Sequence, residues 1–160
     1  METIKNKEIK AGFDSEGIFC QKIGDSWLGQ EIFCAKLGNG PKNLLFLCDY
    51  SSLCWEIGDA MTAWGRGLAA GNGKNPFFNI KEFFSYHTLY LIPRPNPDGV
   101  DIVNGIFTAN NPFEERMKKM NCSGDFSGWR SNVRGVDLSL NHDGDWEKAK
   151  KITASVGPSA

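Results

Sequence analysis

Lys42-Asn43-Leu44-Leu45-Phe46-Leu47-Cys48-Asp49-Tyr50-Ser51-Ser52-Leu53-Cys54-Trp55 is the stretch that decides the fold. Its first half is a short apolar run, Leu44 to Cys48, preceded by a Gly/Pro-rich turn, and it reads as a buried strand. At Ser51 the pattern changes to helical spacing, with Leu53, Ile57, Met61, Trp64 and Leu68 on one face. Ser51 or Ser52 can cap that helix. The end of a strand that turns into a helix is where open α/β sheets place their ligands. Asp49 to Cys54 is therefore the first place to look for chemistry.

Upstream, Gly17–Ile23 and Gln30–Leu37 are strand-like and are joined by Gly24-Asp25-Ser26-Trp27-Leu28-Gly29, which suits an antiparallel hairpin. Downstream, Gly71-Asn72-Gly73 stops the long helix. Asn79-Ile80-Lys81-Glu82 reads as a capping box for a short helix carrying Phe83 and Phe84. Thr88 to Ile92 is a further buried strand, stopped by Pro93 and followed by a polar, Gly- and Asn-rich loop. Within that loop, Pro112 to Met120 reads as a short helix with Glu114/Lys118 and Glu115/Lys119 pairs. Val136 to Leu138 reads as extended, and Asp145 to Ile152 as a last charged helix. Hairpin, strand, helix, strand implies an α/β fold with a mixed sheet flanked by helices, because a helical crossover joins parallel neighbours. The expected organisation is a polar, loosely held segment 1–15, one domain over 16–156 and a tail at 157–160.

Composition narrows the function classes. A chain of 160 residues suits one domain with a sizeable core, and a net charge of −1 gives no footprint for nucleic acid or an anionic membrane. No apolar run is long enough to span a bilayer, and Met1–Glu8 has no signal-peptide core, so the expected location is cytoplasmic. The five cysteines (20, 34, 48, 54 and 122) lack zinc-knuckle spacing and are expected as free, mostly buried thiols. Two histidines, His87 and His142, leave little material for a metal site; each is expected to be a surface or packing residue.

Two later segments carry a resemblance. Leu91-Ile92-Pro93-Arg94-Pro95-Asn96-Pro97-Asp98-Gly99-Val100 and Gly128-Trp129-Arg130-Ser131-Asn132-Val133-Arg134-Gly135-Val136-Asp137-Leu138-Ser139-Leu140-Asn141 together resemble the zinc carboxypeptidase family. The likeness is to its bacterial branch that trims peptidoglycan stem peptides. Leu28–Ile32 with Gly38–Lys42, and Asp145–Lys150, resemble further stretches of that branch. The resemblance runs from about Ile18 to Lys151 and implies a carboxypeptidase-like α/β fold. Pro-Asn-Pro-Asp-Gly alone reads simply as a turn.

The family's chemistry is a separate matter. In the family, His-x-x-Glu follows the strand that matches Leu44–Cys48, and both side chains bind zinc. Here those positions are Ser51 and Cys54. An alcohol and a single thiolate are a poor set for this ion, so the expected cofactor is none, with zinc belonging to the family. The resemblance places a third histidine, a glutamate base and a substrate-closing tyrosine in a C-terminal half that these residues do not match. Glu147, on the charged helix, is not that base, and His142 falls too early to be that histidine. Arg130 is the best match to the residue that would polarise a scissile carbonyl, with Arg134 its rival. Ser139 stands at the position of a substrate-anchoring asparagine, followed by Leu140 and Asn141. The expectation is a family member with a vestigial cleft lined by Ser51, Cys54, Arg130, Ser139 and Asn141. It would be non-catalytic and would bind peptides or peptidoglycan stem peptides. The alternatives are a metallocarboxypeptidase completed by another chain, and a structural or oligomeric module without a ligand. In the family the 44–48 strand is central and flanked by strands of the C-terminal half. The resemblance therefore implies an exposed sheet edge and a homodimer through it, unless residues 109–152 fold over that edge.

Overall fold

The computed structural model describes residues 3–71, 79–106, 111–141, 143–145, 147–148 and 151. Four strands form one mixed sheet: β1 (Phe19–Asp25), β2 (Glu31–Leu37), β3 (Lys42–Leu47) and β4 (His87–Ile92), in the spatial order β1-β2-β4-β3. β1 and β2 are the expected antiparallel hairpin, with a register shift between Lys22 and Gly24. β4 runs antiparallel to β2 and parallel to β3, with Leu44 opposite Leu89 and Phe46 opposite Leu91. The parallel pair is joined by α2 (Trp55–Ala69) and α3 (Ile80–Tyr86), as a helical crossover requires. Asn79 caps α3 by accepting a hydrogen bond from the Glu82 N–H at 3.2 Å.

One face of the sheet makes the main core. Phe33, Ala35 and Leu37 of β2 and Leu89 and Leu91 of β4 are buried beneath Ile9 and Phe13 of α1 (Asn6–Ser15) and Met61 of α2. The N-terminal segment, expected to be loosely held, thus supplies a helix with two core side chains. Ile9 and Phe13 fall at i, i+4, and Phe13 meets Phe33 edge-on at 6.2 Å. A second core gathers beyond the end of β4, where Ile102, Met117, Phe126, Trp129 and Val133 are buried together. These come from α4 (Pro97–Val103), α5 (Glu114–Asn121) and the loop after it. The described part of 109–152 therefore packs there, and β3 keeps exposed side chains along nearly its whole length.

Several local expectations are corrected. Cys54, not a serine, is the N-cap of α2; Ser51 precedes a 3-10 turn at Ser52–Cys54 and makes no side-chain cap bond. The inward face of α2 is Gly58, Asp59, Met61, Thr62 and Gly65, whereas Ile57 and Trp64 are exposed. Small residues let the helix approach the sheet closely: a Cβ on Gly65 would meet Leu91 Cδ1 at 2.7 Å. The Asn96–Gly99 turn is the first turn of α4, with Asn96 as N-cap and Pro97 at the first helical position. Val136–Leu138 is not extended; Leu138–Leu140 is a 3-10 turn. Glu114 pairs with Lys118 at 2.8 Å, and Glu115 pairs with the same lysine at 3.6 Å. The charged helix expected over Asp145–Ile152 and the tail fall largely outside the described residues. Among those residues no helix is long and apolar enough to cross a membrane.

The glycines of α2 give a direct test of this packing. A Cβ on Gly58 would collide with Asp49 Oδ2 and the Pro93 carbonyl, whereas one on Gly67 meets nothing within 4 Å. We expect Gly58→Ala to cost more than about 2 kcal/mol of unfolding free energy. Gly67→Ala should gain about 0.5–1 kcal/mol from helix propensity. Urea midpoints of the two variants check this; equal effects would contradict the close approach.

Candidate functional site

Asp49, two residues past the end of β3, turns the chain with a positive φ of 50°. Its buried carboxylate accepts a hydrogen bond from the Gly58 N–H at 2.9 Å and lies 3.5 Å from Arg94 Nε. Arg94 is itself buried and pairs with Asp59 of α2 through Nη2. The same guanidinium donates to the Thr3 hydroxyl and the Ile4 carbonyl, while the Ile4 N–H donates to Asp59 Oδ2. One arginine thus fastens the end of β3, the start of α2 and the N-terminal segment to the turn after β4. Next in sequence, Asn96 caps α4 and donates to the Tyr50 carbonyl at 3.1 Å. Asp98 accepts from the Ser26 hydroxyl, the Leu28 N–H and Gln30 Nε2, tying the β1–β2 loop to α4. The polar residues of the 91–100 segment therefore hold the frame around the site.

The frame brings two distant segments together. Ser52 donates its hydroxyl to the Trp129 carbonyl and its N–H to the Arg130 carbonyl, the latter at 3.3 Å. Trp129 is fully buried, and its indole N–H reaches the Asn132 carbonyl at 3.2 Å. Asn132 Oδ1 accepts from the N–H groups of Arg134 and Val136, closing the 128–136 segment into a fixed loop. A Cβ on Gly99 would come within 2.6 Å of the Ser131 carbonyl, so α4 and this loop are also in close contact.

Ser51 is half-buried and Cys54 exposed on one side of this junction. Arg130 is half-buried on the other. The Arg134 guanidinium lies 4.3 Å over the Trp27 ring, a cation–π contact that gives it a partner in the β1–β2 loop. The Ser139 hydroxyl and N–H both donate to Asp137 Oδ1, at 2.6 and 3.0 Å, which commits this side chain to its own 3-10 turn. Asn141 is exposed and follows that turn. Glu147 is exposed, and His142 lies outside the described residues. His87 packs against Phe83, with ring centroids 4.5 Å apart.

Zinc does not fit this donor set. Ser51 and Cys54 offer an alcohol and one thiol, and no group of three or more His, Cys, Asp or Glu residues is placed to hold a metal among the described residues. All five cysteines are free, but Cys54 and Cys122 are exposed, contrary to the expectation of mostly buried thiols. Burial and the Asp49 carboxylate push the Cys48 thiol up. Asp49 lay in the stretch singled out from the sequence, whereas the roles of Asp59 and Arg94 were missed. A charged residue on a helix beside an apolar run, with an arginine after a strand, was their only signal.

A family model described as zinc carboxypeptidase matches residues 14–159. Two curated relatives are similar over most of the chain. The protein YqgT of Bacillus subtilis (strain 168) is 31% identical over 159 residues, covering 92% of this chain and 42% of that protein. The gamma-D-glutamyl-L-diamino acid endopeptidase 1 of Lysinibacillus sphaericus is 32% identical over 129 residues, covering 78% of this chain and 33% of that enzyme. The chain thus spans less than half the length of these relatives. Among solved structures, a metallo-carboxypeptidase from Burkholderia cenocepacia superimposes with a TM-score of 0.53 at 13% identity, over 97% of this chain and 39% of that one. One from Pseudomonas aeruginosa gives a TM-score of 0.51 at 14% identity, over 96% and 37%. Likeness at that identity shows a shared fold.

The buried charges predict a pH dependence. Desolvation pushes the Asp49 carboxyl from its ordinary 3.8 up to about 7, against the lowering by Arg94 and the Gly58 N–H. Between these values the native protein holds a proton that the unfolded chain releases, so stability falls as pH rises through the window. Asp49→Asn keeps the acceptor for Gly58 and removes the titration. Its urea midpoint should gain on that of the parent chain from pH 4 to pH 7, whereas parallel profiles would contradict the assignment. Thiol reactivity should divide likewise, with Cys54 alkylated at least about tenfold faster than Cys48 in the native protein. The reverse order by mass spectrometry would contradict the placement of both.

Proposed function

We propose, on the premise that this chain belongs to the zinc carboxypeptidase family, that it is a non-catalytic member whose cleft binds peptides rather than cleaving them. The observation that carries this reading is the junction at Ser52, which holds the Ser51–Cys54 turn against Trp129 and Arg130. The family's framework is maintained there, while the two positions matched to its metal ligands are serine and cysteine. Without a Lewis acid or a metal-activated water, peptide hydrolysis at this cleft has no source of nucleophile.

Binding chemistry remains available. Arg130 offers a planar cation for a peptide carboxylate, and such a fork can bind it in bidentate fashion. Ser51 and Asn141 supply neutral donors and acceptors, while Ser139 reinforces the turn that presents Asn141. The likeness to the Lysinibacillus endopeptidase makes γ-D-glutamyl–diamino acid peptides the ligand class to try first. The chemistry read here requires neither nucleic acid nor a membrane.

Calorimetric titration with a γ-D-glutamyl–diaminopimelate stem peptide tests the reading, with the peptide assayed for cleavage afterwards. We expect saturable binding, intact peptide, and a loss of about tenfold or more in affinity on Arg130→Ala, equivalent to about 1.4 kcal/mol or more. No binding at millimolar peptide would favour a structural module instead. Turnover of the peptide would overturn the non-catalytic reading and favour an enzyme completed by another chain.

A further inference from the structure

A cavity of about 380 Å³ is walled by the start of α1, the start of β2 and α4, and it shares no residue with the Ser52 junction. That volume is at the small end of ligand pockets.

Its wall holds a buried acceptor without a donor. Asn6 is 6% exposed, and its Nδ2 donates to the Glu31 carbonyl at 2.7 Å. A carbonyl can only accept, so this bond fixes which end of the amide is nitrogen. The other end, Oδ1, is the one buried side-chain nitrogen or oxygen among the described residues without a hydrogen-bond partner. Such a group is expensive to leave unsatisfied. Asp98 of α4, by contrast, accepts three hydrogen bonds.

Asp101, three residues further along α4, lines the same cavity. Gln30 Nε2 donates to its Oδ2 at 2.8 Å, and its Oδ1 has no partner among the described residues. Burial pushes this carboxyl from 3.8 up to about 6, and a cation beside it would offset the desolvation. Two unmet acceptors, one of them on a carboxylate, call for a group with several N–H donors. A protonated amine has three.

The opposite charge stands at the head of α1. Lys5 is its N-cap and Lys7 lies in its first turn, and both are exposed where they line the cavity. Lys10, also on the wall, pairs with Asp14 at 3.4 Å, whereas Lys5 and Lys7 make no ion pair among the described residues. Cations at the positive end of a helix are repelled by its dipole, and an anion held there would reverse that cost. Phe33 and Ile106 add an apolar surface to the same wall.

We infer that this cavity binds a free α-amino acid with an apolar side chain. Its ammonium donates to Asn6 Oδ1 and Asp101 Oδ1, its carboxylate meets Lys5 and Lys7, and its side chain lies on Phe33 and Ile106. The ligand carries both charges because neither an amine nor a carboxylate alone answers both sides of the cavity. This inference is independent of what the Ser52 junction binds.

Calorimetric titration of the 160-residue chain with L-leucine is the test. We expect saturable binding of one equivalent. Leucinamide keeps the amine and lacks the carboxylate, and isocaproate keeps the carboxylate and lacks the amine. Each should bind at least about tenfold more weakly than leucine. Asp101→Asn should lose about tenfold in affinity while far-UV circular dichroism stays unchanged. Amide chemical shifts of the unaltered chain supply a readout that needs no variant: the changes on adding leucine should centre on Lys7, Glu31 and Asp101. No saturation at tens of millimolar leucine, an analogue that binds as tightly as leucine, a folded Asp101→Asn chain with full affinity, or shifts centred on Ser51 to Cys54 and Arg130 would overturn the inference.

Discussion

The buried Arg94 guanidinium is the contact on which the rest of the molecule depends. It meets Asp49 at the end of β3, Asp59 on α2, and the backbone and side chain of the segment leading into α1. Burying charges is expensive, and such clusters are weak evidence of net stability. What this one does is fix geometry, because removing Arg94 strands desolvated carboxylates, at a cost of about 3–5 kcal/mol. One arginine cannot neutralise two carboxylates in a dry site. Burial answers this by pushing the Asp49 carboxyl up to about 7, so that it can carry a proton near neutrality.

From that fixed point the site follows by short steps. Asp49 turns the chain out of β3, Asn96 holds the Tyr50 carbonyl, and Ser52 reaches across to residues 129 and 130. Trp129 anchors the far side by filling the second core. The framework of a family cleft can thus persist through hydrogen bonds and packing that never involve the family's metal. Serine and cysteine at positions 51 and 54 leave the frame intact, since among the described residues neither side chain makes a bond that supports it.

The hairpin and the parallel pairing were legible in the sequence because apolar runs, turn residues and a helical crossover leave few topologies, whereas the insertion of β4 between β2 and β3 came only from the structure. The face of α2 was not. Periodicity marked Leu53, Ile57, Trp64 and Leu68, yet burial went to Gly58, Asp59, Thr62 and Gly65, with Met61 common to both. Close approach to the sheet selects small residues, and pairing with Arg94 drew a charge inward; hydrophobicity signals neither. α1 was hidden by its polar composition, with Ile9 and Phe13 the only hint. α4 was hidden because Asn96-Pro97-Asp98-Gly99 reads equally well as a turn or as a capped helix start. Around the Ser52 junction, the motif residues were recognisable individually. That Ser139 binds Asp137 and Arg134 lies on Trp27 could only come from the folded arrangement.

The exposed apolar positions of α2 and β3 gain their meaning from this correction, since side chains that miss the core form a surface instead. The Ser52 junction and that surface are separate consequences of one framework, and the central claim is the proposed one: a family fold whose positions 51 and 54 do not hold the ion. Metal analysis of protein purified without chelators measures this most directly. The account predicts well under one equivalent of zinc, unchanged by Cys54→Ala. One equivalent of tightly bound zinc, lost in that variant, would contradict it.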